Sequence, residues 1–381
     1  MPGIETVGKP RTTDLRAWLW GNALRGSEHS SPHLRTGLSV VRGKAMWLFK
    51  VTLLFLICLQ SPFPPAEAAP IRLTIGHGAM SSSTVPLWVT KEQGFFAKHG
   101  IDAELVAFFR GAPTVIASLV SGEIQISYLG ASSVIGAASQ GIELKIVSSL
   151  FDRLTHDLIA IPSIKRAEDL RGKRFGIQSF GGGVWIQTML GLEHLGLEPK
   201  RDKITLLVVG DSVRIAQALE VGGVVDAAVL DRALTGRLRQ KGFSVVAEFY
   251  KTNIPLSRIG LVVSQAYLHA HSEALQRVVS ALVEGIAFGL APGNKPVVIK
   301  TMMKNLRVSD PAVAEQAYND ILLAINRKPY PSIEGVRNMQ RLMALYNPKV
   351  AALRSEDLID ARFVRRLDES GFIDQLYGKT R

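Results

Sequence analysis

The chain has 381 residues, 47% of them apolar and 20% charged, with one cysteine and a formal net charge of +12. That composition excludes a disordered chain, a collagen-like repeat and a disulfide-stapled mini-protein. A mass of 41.5 kDa is too much for one small core, so one large or two medium domains are expected.

Residues 1–45 are rich in Arg, Ser, Gly and Thr and show no helical or strand periodicity. Met46 to Lys50 then leads into an uncharged run, Val51 to Leu59, a break at Pro62, Pro64 and Pro65, and Ala66-Glu67-Ala68. A basic start, a short apolar core and an A-x-A site make a secretory signal, so export with cleavage after Ala68 is expected. The uncharged run falls well short of the ~18 residues that a membrane-spanning helix needs. Counted from Met46 the signal has a normal length, so Met46 is the expected start, with residues 1–45 as upstream sequence translated in error. Removing 68 of 381 residues leaves 313, with 37 basic and 29 acidic side chains and a net charge of +8. Cys58 departs with the signal, and with it any thiolate nucleophile, disulfide or Cys-based metal site. Ile57, before that cysteine, is not the small residue that lipidation requires.

From Ile71 onward, short apolar runs alternate with amphipathic stretches joined by glycines. Strands are expected at 71–75, 101–108, 124–128 and 144–147, and helices at 86–99, 114–121 and 132–140. On the second of these helices Val115, Ile116, Leu119 and Val120 share one helical face, and Gly122 supplies the left-handed stop. The rhythm repeats with strands at 158–161, 174–177, 204–209, 227–230 and 259–263, the last returning to the first unit. Between them helices are expected at 167–170, 184–195 and 212–220, then one more helix and a strand ending at Phe249. Past Ser264 nearly everything reads as helix: 271–290, 311–325, 333–346 and 356–370. The fold class expected is α/β, two doubly wound lobes with parallel sheets joined by a two-segment hinge, and a helical C-terminal tail. Lobe 1 takes residues 69–157 with 264–381, and lobe 2 takes 158–263.

Several segments resemble, in order and spacing, the nitrate, sulfonate, taurine and thiamine-precursor family of periplasmic solute-binding proteins. They are Val85-Pro86-Leu87-Trp88 through Glu92-Gln93-Gly94-Phe95-Phe96, His99-Gly100-Ile101, Phe109 to Pro113, and Leu119 with Ser121-Gly122-Glu123-Ile124. Asp169 to Lys173, Ser179 to Gly183, Gly223 with Val225 to Ala228, and Leu230 to Ala233 follow. The resemblance implies a type II periplasmic binding protein fold, whose lobes close on a small solute and deliver it to an ABC permease in the inner membrane. Its crossovers would lie near 157–162 and 255–263. A monomer without cofactor, metal or nucleic-acid partner is expected, and the protein is not expected to be an enzyme. Enzymes that share the resemblance, a pyrimidine synthase and desulfinases, depend on cysteine, which the processed chain lacks.

In open α/β sheets ligands sit beyond the carboxyl ends of strands, where loops enter helix N-termini. Four loops qualify: 77–84, 110–113, 129–133 and 178–183. Within them Ser81, Ser82 and Ser83 either bond a ligand's oxygens or cap the next helix. Arg110, beside Gly111, is a charge partner for a carboxylate or sulfonate, or an ordinary surface arginine. Ala131 and Ser132 offer backbone N–H groups at a helix start, as do Ser179, Gly182 and Gly183 in a glycine-rich turn. Asp231 either binds an amine or ring N–H or caps the next helix. Tyr128 and Trp185 either stack on a flat ligand or belong to the core. Arg110 argues for an anion and Asp231 against a bare one, so the charge of the solute stays open.

Gly76-His77-Gly78 lacks the third glycine of a dinucleotide loop, since Ser81 stands there. His269 and His271 lack a third ligand, and the basic residues form no aromatic-interleaved patch for nucleic acid.

Overall fold

The computed structural model describes residues 69–78, 81–108 and 112–378. The leader, with its expected cleavage after Ala68, lies outside them, as do Arg110 and Gly111. In chain order the elements are β1 (Ile71–His77), α1 (Val85–Glu92), α2 (Phe95–Lys98), β2 (Ile101–Ala107), α3 (Ala112–Ser121), β3 (Ile126–Leu129), α4 (Ala131–Ala138) and β4 (Leu144–Ile146). Then come β5 (Asp157–Ala160), β6 (Arg174–Ile177), α5 (Gly183–His194), β7 (Thr205–Val208), α6 (Ser212–Val221), β8 (Ala227–Leu230), α7 (Arg232–Gln240), β9 (Ser244–Glu248) and β10 (Gly260–Ser264). The rest is helical: α8 (Gln265–Ala270), α9 (Ser272–Leu290), α10 (Lys295–Leu306), α11 (Pro311–Ala324), α12 (Ile333–Ala344), α13 (Arg362–Glu369) and α14 (Phe372–Leu376).

The strands form two five-stranded sheets, ordered β2-β1-β3-β10-β4 and β7-β6-β8-β5-β9. Central strands β3, β5 and β8 are buried along their whole length, as strands covered on both faces must be. At the edge, β2 alternates, with Ile101 and Ala103 inward and Asp102 and Glu104 outward.

The α/β class holds, but the sheets are mixed rather than parallel. β10 runs antiparallel to both β3 and β4, and β5 antiparallel to both β8 and β9. The cause is the route of the chain. Each of these strands arrives from the other sheet rather than through a helical crossover, so it enters from the opposite end. Residues 260–263, expected in the second lobe, are therefore strand residues of the first sheet.

Other departures have local causes. The single helix expected over 86–99 breaks at Gly94, whose φ of 75° is left-handed, giving α1 and α2. The stretch 356–370 splits into a 3-10 turn, Ser355–Leu358, and α13. Helix α10 was not expected, because Pro292 and Pro296 flank its start and mimic a loop; both are tolerated in a first turn, where the N–H is unpaired anyway.

Helix α9 buries a continuous face from Ala274 to Ala287 against the first sheet. It meets α1 so closely that a Cβ at Gly285 would lie 2.0 Å from Thr90 Oγ1. Buried Glu284 on the same helix is paired with Lys98 and with His99, the latter at 2.8 Å. Helix α12 packs its buried Val336, Met339 and Leu342 in a core shared by residues of both sheets.

Candidate functional site

The two segments that pass between the sheets run side by side. Leu150 N–H donates to the Ile259 carbonyl (2.8 Å), Leu154 to Ile254 (2.9 Å), Leu256 to Asp152 (2.8 Å) and Arg258 to Phe151 (3.0 Å). The approach is tight: a Cβ on Gly260 would lie 1.7 Å from the Ser148 carbonyl oxygen. This ladder places Phe151, Thr155 and His156 from one crossover next to Tyr250 and Arg258 from the other.

Above it, the loop after β1 makes a 3-10 turn, Ser82–Thr84. Ser81 Oγ and Ser83 Oγ lie 2.7 Å apart, and the Tyr128 hydroxyl donates to the Ser83 carbonyl at 2.8 Å. From the second sheet, the end of β8 delivers Asp231, whose Oδ1 accepts the Leu234 N–H at 3.1 Å and caps α7. Helix α11 closes the remaining side with Asp320, Ile321 and Ala324. Together these elements enclose a narrow cavity of about 50 Å³, lined among others by Ser82, Ser83, His156, Asp231, Arg232 and Arg258.

Its electrostatics are dominated by Arg258. The guanidinium carbon stands 5.2 Å from the Phe151 ring centroid, and Nη1 reaches Thr155 Oγ1 only at 3.4 Å. Among the described residues no carboxylate lies within 4.0 Å of it. Burial pushes its pKa down, while Asp231 and Tyr128 pull it up; an arginine so placed stays charged. His156 is held neutral, because burial and then Arg258 push its pKa well below the usual value, and its Nδ1 has no partner. Burial raises the Asp231 carboxyl, against the pull of the Leu234 N–H and Arg258.

A second cationic group borders the cavity. Arg232 Nε pairs with Asp320 Oδ1 at 3.0 Å, and its guanidinium lies 3.8 Å over the Tyr250 ring. Behind it, Asp157 Oδ2 accepts the Thr235 hydroxyl at 3.1 Å. Burial pushes Asp157 up to about 6, against the pull of Arg232.

The expected site residues separate into three groups. Ser82, Ser83 and Asp231 line the cavity, and Ser81 supports it through Ser83. No serine caps α1: Thr84 occupies that position, and its side chain does not cap the helix. Tyr128 and Trp185, considered as stacking surfaces, are fully buried core residues. Tyr128 serves the site indirectly through its bond to Ser83, and Trp185 packs edge-on against Tyr346, centroids 4.9 Å apart. Ala131 is buried, its N–H donating to the Ser257 carbonyl at 3.3 Å, and neither it nor Ser132 lines the cavity. The glycine-rich turn is also elsewhere. Gly182 N–H donates to Ser179 O at 3.2 Å, closing the turn on itself, and Phe180 stacks near Tyr346 at 5.1 Å, so Ser179, Gly182 and Gly183 form no wall of this cavity.

Arg258, His156, Thr155, Tyr250, Arg232 and Asp320 were not anticipated. The available signal was the crossover assignment itself: a lone arginine in a short segment shared by two lobes.

Chemically the arrangement offers a partly desolvated cation, hydroxyls and backbone groups to a small ligand. Among the described residues there is no cluster of three or more His, Cys, Asp or Glu able to hold a metal, and no hydrogen bond joins His156 to Ser82 or Ser83.

Residues 81–293, more than half of the chain, match the family model described as NMT1/THI5 like. The chain belongs to the NMT1/THI5-like family. Among relatives of this NMT1/THI5-like chain, the taurine-binding periplasmic protein of Escherichia coli (strain K12) is 29% identical over 144 residues, 37% of this chain and 43% of that protein. A putative binding protein of Brucella abortus (strain 2308) is 26% identical over 134 residues, 35% of this chain and 40% of that one. The matches thus span less than half the length of these relatives. In three dimensions the periplasmic aliphatic sulphonate binding protein SsuA of Escherichia coli superposes with a TM-score of 0.61 at 18% identity, covering 76% of this chain and 96% of that one. The periplasmic nitrate-binding protein NrtA of Synechocystis PCC 6803 gives 0.59 at 12% identity, covering 79% and 89%. The fold is that of the periplasmic binding proteins.

Proposed function

We infer that this chain is the exported solute-binding component of an ABC importer, acting as a monomer, and that it takes a small anionic solute between two lobes. The observation that carries this reading is Arg258, a partly buried guanidinium without a paired carboxylate among the described residues, lining a cavity to which both crossovers and both sheets contribute. A charge in that setting is costly unless an opposite charge meets it, and a bound anion supplies one. The relatives' names support a sulfonate-type solute, and the positively charged mature chain favours attraction of anions.

The lobes follow strand membership: residues 69–146 with 260–381 form one, and 157–248 the other, with hinges in 147–156 and 249–259. This shifts the boundary drawn from sequence by moving β10 to the first lobe. Because the solute touches both lobes, binding favours the closed arrangement. Binding is preferred over catalysis because the only cysteine of the chain is Cys58, within the expected signal. The test is ligand-dependent thermal stabilisation with methanesulfonate, taurine, nitrate and acetate, followed by recovery of the solute. Stabilisation with the solute recovered unchanged supports binding; turnover of the solute refutes it.

A further inference from the structure

Two cavities meet at one side chain. Beyond the narrow cavity of about 50 Å³ lies a wider one of about 620 Å³, and both have Arg232 and Ala233 in their walls. The inner space holds a few water-sized groups, enough for a charged head and little else. The outer space is large enough for an alkyl chain and includes Leu234, Val245 and Val313 in its lining.

The partition between them is held from two directions. Asp320 of α11 takes Arg232 Nε at 3.0 Å, and Tyr250, in the crossover, supports the guanidinium face at 3.8 Å. Gln316 Nε2 donates to the same Asp320 oxygen at 3.1 Å and fixes its position. A second carboxylate stands ready on Arg232's own side of the cleft. Asp157 Oδ1 and Arg232 Nη1 are both buried without a partner, although Asp157 is the cation's neighbour on β5. An arginine released by Asp320 has Asp157 to turn to, so displacement does not strand its charge.

We propose that Arg232 is a size-selecting door between the two cavities: held by Asp320 and Tyr250 it limits the solute to a short anion, and removed from that position it admits a longer chain. This rests on the reading of the inner cavity as an anion site. A plain ion pair between lobes, without a filtering role, would weaken short and long ligands alike.

The experiment measures dissociation constants of methanesulfonate and hexane-1-sulfonate by calorimetry for the full chain, Arg232→Ala and Asp320→Ala. The readout is the ratio of the two constants, in which the general loss of a cation in Arg232→Ala cancels. The unaltered protein is expected to prefer methanesulfonate at least tenfold, and both variants to lower the ratio at least tenfold. Asp320→Ala keeps the cation and carries the test if Arg232→Ala does not fold. A ratio unchanged in the folded variants, a change confined to Arg232→Ala when both fold, or an unaltered protein that binds both ligands equally overturns the door while leaving the anion site standing. An unaltered protein that binds neither sulfonate, nor acetate or nitrate, overturns both.

Discussion

Replacing Arg258 by methionine should move ligand affinity and apo stability in opposite directions. The guanidinium is partly buried with no carboxylate within 4.0 Å among the described residues, and its compensation is a long contact to Thr155 at 3.4 Å, the Phe151 ring face at 5.2 Å and the more distant charge of Asp231. Leaving a desolvated anion without its partner costs about 2–5 kcal/mol, so a loss of about 3 kcal/mol, roughly 150-fold in Kd, is expected. Without ligand the same change removes a partly desolvated charge whose only negative neighbour, Asp231, stands beyond ion-pair distance, and keeps the apolar stem. Allowing about 1 kcal/mol for the lost ring contact, a net gain of about 1 kcal/mol follows, or a Tm higher by about 2–4 °C. Calorimetry with whichever of methanesulfonate, taurine, nitrate or acetate binds the unaltered protein gives the first sign, and a ligand-free thermal melt gives the second. Affinity within threefold of the original, or a clear fall in apo Tm, would refute the assignment of Arg258 as the anion's partner.

Asp157 is held near 6, above its unfolded value, so its neutral form favours the fold; the stability it confers is complete at low pH and is lost as pH rises through about 4 to 6. Asp157→Asn should remove that loss and gain about 1–2 kcal/mol at pH 7.5, allowing for partial solvent screening, with a flatter Tm-against-pH curve between pH 4.5 and 7.5; parallel curves would count against it. Asp231→Ala should cost about 1 kcal/mol through the lost cap on Leu234. It should also tighten anion binding a few-fold by removing the negative neighbour of Arg258, so weaker anion binding in this variant contradicts the charge assignment. Gly260→Ala forces a methyl 1.7 Å from the Ser148 carbonyl and should destabilise the crossover by about 3 kcal/mol, read as a lower denaturation midpoint; a midpoint within experimental error of the original would show that the crossovers are less tightly held than the ladder implies.

Alternating apolar runs located most strands of both sheets to within one or two residues, because side chains in those segments have one way to be buried. Strand direction was not legible in the same way. Nothing in Leu158-Ile159-Ala160 or Leu261-Val262-Val263 distinguishes a strand that arrives through a helix from one that arrives from another sheet, and both read as ordinary parallel strands. The site shows the same division. Ser82, Ser83 and Asp231 follow strand ends, to which the rule for ligand sites points, and they line the candidate cavity. The glycines at 181–183 satisfied that rule equally well, yet Phe180 draws their turn toward Tyr346, a contact with the turn after α12 more than 150 residues later in the chain. Arg258 escaped the rule because it lies in neither a strand-end loop nor a helix start. Its place in the cavity wall depends on the pairing of two crossovers about a hundred residues apart.

That placement bears on how the cleft would work. A cation on one lobe would travel with it when the lobes part, and an anion would then follow that lobe. On the crossover ladder, Arg258 is fixed through its own N–H to Phe151, in the segment that both lobes share. On the proposed function a solute would dock its charge on the hinge first, with either lobe still open. Closure would then add the Ser82–Ser83 turn from one side and the α7 start from the other, so the charge would anchor the solute while the lobe contacts supplied the difference in affinity between open and closed arrangements. On this reading, removing the Tyr128 hydroxyl, which holds the Ser83 carbonyl at 2.8 Å, loosens one lobe's contribution without touching the anchor. Tyr128→Phe should thus raise the dissociation rate of the ligand several-fold in stopped-flow measurements and leave its association rate unchanged. A fall in association rate alone would mean that the serine turn, and not the hinge arginine, receives the solute first.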